Sequence, residues 1–83
     1  MDTDALRIAI RQKLQSGRLP RDGARKVWGS PSAGEKCVAC DAVVAQEQLV
    51  MEATTVERGI TLQFHVQCFQ LWDLEKQALL AAH

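Results

Sequence analysis

Cys37-Val38-Ala39-Cys40 and His65-Val66-Gln67-Cys68 decide how this chain folds. The first pair has the spacing C-x2-C and the second H-x2-C, with the 24 residues from Asp41 to Phe64 between them. Two cysteines separated by two residues on a tight turn aim both sulfurs at one point, and a structural zinc site takes four nitrogen or sulfur ligands in a tetrahedron. His65 at the end of an extended segment and Cys68 in the first turn of a following helix can meet that same point. The two pairs use all three cysteines, and of the histidines only the terminal His83 is left over. The spacing therefore predicts one Zn2+ held by Cys37, Cys40, His65 and Cys68. Zinc ranks above iron because a mononuclear Cys/His tetrahedron needs no redox chemistry.

Each residue alone has a plainer reading. A lone C-x2-C can be a redox pair, but the thioredoxin kind follows a strand and opens a helix in a βαβ setting. Here it follows Ser30-Pro31-Ser32-Ala33-Gly34-Glu35-Lys36 and precedes a hairpin pattern. Cys68 could be a core thiol and His65 a satisfied histidine. Only the joint spacing favours metal.

Downstream of the first pair, Leu49, Met51 and Ala53 alternate with Val50, Glu52 and Thr54, and Val56 closes the run. Glu57-Arg58-Gly59 supplies a turn. Ile60, Leu62 and Phe64 then alternate with Thr61, Gln63 and His65, so the segment reads as a β-hairpin. A helix follows from Val66 to Ala82, rich in Ala, Leu, Gln, Glu and Lys, with Phe69, Trp72 and Leu79 on an apolar face flanked by Leu71, Leu74 and Ala78. Upstream, Leu6, Ile10 and Leu14 form a one-sided stripe, Thr3 is a suitable N-cap, and Gly17 suits the left-handed position past the helix end. A helix this short needs a surface to cover, and its own domain is the expected one. Ile8 lies on the opposite side. Residues 17–36 hold four of the five glycines and both prolines, sustain no period and read as a loop. Trp28 in that loop is expected to pin it to the body by burying its ring.

The fold expected is thus a small, zinc-stapled α+β domain. It comprises an amphipathic helix over 1–17, a basic Gly/Pro-rich loop over 18–36, and a knuckle, hairpin and helix over 37–83. The order of the last part resembles a treble-clef zinc finger, the fold shared by LIM-type and other small zinc modules. The resemblance runs from Cys37 to about Leu80. The chain also resembles small bacterial zinc-binding proteins in which a Leu-Pro segment precedes CxxC and a later FHxxC and Trp. The matching stretches are LPRDGARKVWGSPSAGEKCVAC and FHVQCFQLW. That resemblance implies a zinc fold and no established activity. Asp41 stands where zinc knuckles commonly place Gly; Asp tolerates the left-handed conformation better than most residues.

Eighty-three residues allow one domain. A core of that size supplies only ~3–5 kcal/mol, whereas structural zinc in finger peptides contributes roughly 10–16 kcal/mol of apparent binding free energy. Metal should decide whether residues 37–83 fold. The N-terminus has neither the basic start nor the apolar stretch of a signal peptide, and apolar runs are too short to span a membrane. A cytoplasmic location is expected, where clustered thiols bind metal more often than they pair.

Zero net charge conceals a split, with residues 7–36 carrying +6 and residues 37–83 carrying −4. Such a split can mark a polyanion-binding arm, with Arg18, Arg21, Arg25 and Lys26 as phosphate ligands, or an arm lying against its own acidic body. No HExxH, deaminase signature or phosphate-cradling glycine loop is present, and four soft ligands leave no open catalytic position. No enzyme activity and no small-molecule substrate are expected. The favoured role is protein interaction with a partner the sequence does not name, through the first helix, Trp28 or a hairpin edge; the alternative is nucleic-acid binding through 18–36.

Overall fold

The computed structural model describes residues 2–81, so the expected helix end at Ala82 and the leftover His83 lie outside the described residues. Five elements follow one another: α1 (Thr3–Ser16), β1 (Ala24–Pro31), β2 (Leu49–Thr55), β3 (Thr61–His65) and α2 (Val66–Ala81). The strands form one antiparallel sheet in the order β1-β2-β3. No described helix is long and apolar enough to cross a membrane.

The α1 N-cap is Asp2 instead of the expected Thr3, and its carboxylate accepts the Ala5 N–H at 3.0 Å. Asp outranks Thr as a cap, and one residue more of helix is gained. Gly17 ends α1 at φ 82° and donates its N–H to Leu14 O, as its sequence position foretold. Leu6, Ile10 and Leu14 are buried and α1 packs on α2, so the stripe covers its own domain. Ile8 is exposed.

Residues 18–36 are the expected loop only at their two ends, over 18–23 and 32–36. Ala24–Pro31 is a strand, paired with β2 from Ala24↔Thr55 to Pro31↔Leu49, with a bulge between Ala24 and Lys26. Sheet pairing uses backbone groups that any non-proline residue supplies, and most of this strand is exposed or only half-buried, so no apolar alternation announces it. The strand also joins the segment before the knuckle to the hairpin after it, and the basic arm is part of the sheet.

Cross-strand partners share a face. Met51↔Phe64 and Ala53↔Leu62 face α2, whose Trp72 stacks on Phe64 at 5.0 Å between centroids, while Phe69 meets Phe64 edge-on at 5.8 Å. The Trp72 indole N–H donates to Pro20 O at 3.1 Å, and Leu19 beside it is fully buried. The apolar face of α2 is narrower than expected, since Leu74 and Ala78 face solvent.

Candidate metal centre

Three local structures bring the four predicted ligands together. Cys37 and Cys40 sit on a tight turn in which Asp41 N–H donates to Cys37 O at 2.9 Å and Cys37 N–H to Ala42 O at 2.8 Å. Asp41 takes φ 66°, the left-handed geometry that glycine usually supplies at such a turn. His65 is the last residue of β3, and Cys68 is the third residue of α2, which begins at the next position. The turn is tied to the hairpin by Val38 N–H donating to Gln63 O at 2.9 Å, two positions before His65.

One ligand atom from each of Cys37, Cys40, His65 and Cys68 lies within 4.8 Å of all the others. His65 Nδ1 is 3.3 Å from Cys40 Sγ and 3.8 Å from Cys68 Sγ. A tetrahedron with zinc–sulfur bonds of ~2.3 Å and a zinc–nitrogen bond of ~2.0 Å has edges of ~3.5–3.8 Å. The spacing is compatible with one bound metal ion. Ligation through Nδ1 leaves Nε2 to carry the imidazole proton.

The electrostatics of the thiols fit the same conclusion. The Cys37 thiol is pulled down to about 4, chiefly by the hydrogen bond from the Cys68 thiol, against burial and with help from the Cys40, His65 and Ala39 N–H groups. Cys68 is pushed up, first by its hydrogen bond to Cys37 and then by burial; Cys40 is pushed up by burial and by the Cys37 charge. One negative charge on Cys37 thus makes the other two costly. A divalent cation held by Cys37, Cys40, His65 and Cys68 would reverse that balance and let every sulfur ligate as thiolate. Cys37 and Cys68 are buried, and Cys40, His65 and Cys68 line a groove of about 540 Å³ shared with Leu6, Leu49 and Val66.

The residue that sequence reasoning missed is Lys13. Its ammonium, reaching across from α1, donates to Val38 O at 3.0 Å, Ala39 O at 2.9 Å and Asp41 Oδ2 at 2.8 Å. It clamps the knuckle from behind. The signal was available: Lys13 falls on the Leu6–Ile10–Leu14 stripe, a cation where the helix turns inward. Glu75 repeats the pattern on α2, one turn after Trp72. It is buried and ion-paired to Arg7, at 3.1 Å, and to Arg11.

The residues expected to meet a partner do not form one patch. The Arg21 guanidinium caps the end of α1, donating to Leu14 O at 2.9 Å and Gln15 O at 3.1 Å, where a cation complements the helix dipole. Trp28 lies half-buried on the sheet face away from α2, its indole N–H donating to Glu52 Oε2 at 2.7 Å, instead of sinking its ring into the body. Arg18, Arg25 and Lys26 are exposed, and Lys26 Nζ stands 5.3 Å from the Trp28 ring centroid. Comparison with protein-family models, with curated proteins and with solved structures finds no match.

Proposed function

We propose that Cys37, Cys40, His65 and Cys68 bind one structural Zn2+, in a knuckle, hairpin and helix of treble-clef type, and that the domain so fixed is a protein-interaction module of the reducing cytoplasm. The observation that carries the metal reading is the meeting of four soft donors from three separate elements within 4.8 Å. Four protein ligands complete a zinc tetrahedron, which supports a structural site over a catalytic one. The zinc, when bound, would supply cross-linking between the knuckle and the start of α2; the chain's own part is to hold the sulfurs and Nδ1 at tetrahedral spacing.

The choice of protein over nucleic acid rests on the surface. Arg21 is engaged by α1, and the remaining cations of the arm carry no row of exposed aromatics for base stacking. The amphipathic face of α1 is consumed internally, which leaves the sheet face around Trp28 and the edge of β1 as the surfaces for a partner.

Elemental mass spectrometry should find one zinc per chain, and a strong chelator should abolish the folded circular dichroism signal, as should Cys37→Ser or Cys68→Ala. Retention of the full signal without metal refutes the structural role. Binding of an oligonucleotide with steep salt dependence would overturn the choice of partner class, because each neutralised phosphate releases counterion.

A further inference from the structure

β1 is the outer strand of the sheet, and its far side has no strand beside it among the described residues. Ser32 N–H donates to Gln48 O at 3.1 Å, just past the Pro31↔Leu49 pair. Antiparallel ladders alternate, so Ser30, Trp28 and Lys26 turn their backbone groups toward β2, while Val27, Gly29 and Pro31 turn theirs outward. Pro31 agrees with this phase, because a proline fits a strand only where its missing N–H faces away from the ladder. Among the described residues, nothing pairs with the outward N–H and C=O of Val27 and Gly29.

The side chains around that edge differ by face. Toward α2, Val27 is 43% exposed, and a Cβ built on Gly29 would meet Met51 Sδ at 3.5 Å. The absence of a side chain at Gly29 thus leaves Met51 and Val27 open to an apolar side chain from a neighbouring strand. On the other face Lys26 and Trp28 stand side by side, with Arg25 at the bulge. Among the described residues, neither Arg25 nor Lys26 has a carboxylate within ion-pair distance, the observed pairs involving other cations.

Building on the interaction-module reading, we infer that the free edge of β1 docks an extended peptide of alternating acidic and apolar residues, which adds to the sheet as a fourth strand. Its backbone bonds Val27 and Gly29, its apolar side chains cover Met51 and Val27, and its carboxylates face Lys26 and Arg25. Strand addition draws affinity from main-chain hydrogen bonds and specificity from alternate side chains. A second copy of this chain is the poorer occupant. β1 holds Arg25 and Lys26 and no acidic residue, so pairing β1 with β1 crowds the cations of both copies along one edge.

The test uses the zinc-loaded full chain and the heptapeptide Glu-Val-Glu-Val-Glu-Val-Glu, compared with its Lys-Val counterpart, with an N-methylated version, and with oligo-dT. Nuclear magnetic resonance titration and amide exchange supply the readout. The Glu-Val peptide should bind at least ~10-fold more tightly than the Lys-Val peptide, a gap of ~1.4 kcal/mol, and the Val27 and Gly29 amides should gain protection. N-methylation and Val27→Pro should each weaken binding by the same order. If Val27→Pro loses its metal or its fold, the pair Arg25→Glu and Lys26→Glu replaces it and should invert the peptide preference. Equal binding of both peptides, no peptide binding, or self-association through β1 overturns the inference. Peptide binding that protects other amides removes the β1 edge but leaves the interaction module standing. Oligo-dT binding in place of both peptides removes the two together.

Discussion

Replacing Lys13 by methionine keeps the aliphatic stem and removes the ammonium that clamps the knuckle. Lys13 is only 9% exposed, and its Nζ satisfies the carbonyls of Val38 and Ala39 at 3.0 and 2.9 Å. Hydrogen bonds from a charged donor contribute ~1.5–3 kcal/mol each, and a buried carbonyl left unpaired adds its own desolvation cost. Val38 O borders solvent and regains water in the variant, which brings the expected total to ~3 kcal/mol. The ion pair to Asp41 adds little, since that carboxylate is exposed and water replaces its partner. On the structural-zinc proposal, metal binding and folding of the knuckle are one equilibrium, so the loss should be read as a fall of roughly 100-fold in apparent zinc affinity. The assay is zinc titration against a chromophoric competitor, with circular dichroism confirming that the loaded variant folds. Arg7→Gln is the control, because Arg7 sits on the same helix but bonds Glu75. A Lys13→Met protein that binds zinc within about threefold of the parent, under ~1 kcal/mol, refutes the clamp.

Trp72→Ala should cost ~3–5 kcal/mol, since the ring is fully buried, stacked on Phe64 and bonded to Pro20 O; a thermal midpoint change of only a few degrees contradicts its place at the core. The Glu75 carboxyl is held below its ordinary value, first by the hydrogen bond from Arg11, with burial opposing and Arg7 adding to the effect. A carboxylate whose value falls on folding stabilises the fold above its unfolded value of ~4.3, and that contribution disappears as pH drops through the lowered folded value. Glu75→Gln should therefore lower the thermal midpoint at pH 7, and the gap to the parent should close as acid carries the solution below the ordinary carboxylate range. Acid also protonates the thiolates, so the difference between the two proteins is the quantity to follow; a gap that widens in acid sinks the assignment.

The hairpin, both helices and the four clustered donors were legible because each leaves a local mark. Met51 and Phe64 carry the period of a half-buried strand, Gly17 carries the φ that ends α1, and the four soft ligands carry a spacing that chemistry makes rare. The first strand was hidden for the opposite reason. Ala24–Pro31 sits at the sheet edge with little burial on either face, so its membership depends on backbone groups that have no residue signature. Lys13 and Glu75 could be seen as charges on apolar stripes, but their partners stand 25 to 68 positions away. Which carbonyls a buried ammonium meets, and which arginines a buried carboxylate meets, is settled only when the helices pack.

The sequence by itself determined which four soft donors belong together, a hairpin and the helices that flank it, because spacing and periodicity are properties of the chain alone. Tertiary structure decided that Ala24–Pro31 of the basic arm is a strand, that Arg21 serves α1 and that Lys13 holds the knuckle. Those outcomes depend on polar groups finding partners far along the chain, and the cost of leaving a buried polar group unpaired selects the partner only after the core has closed.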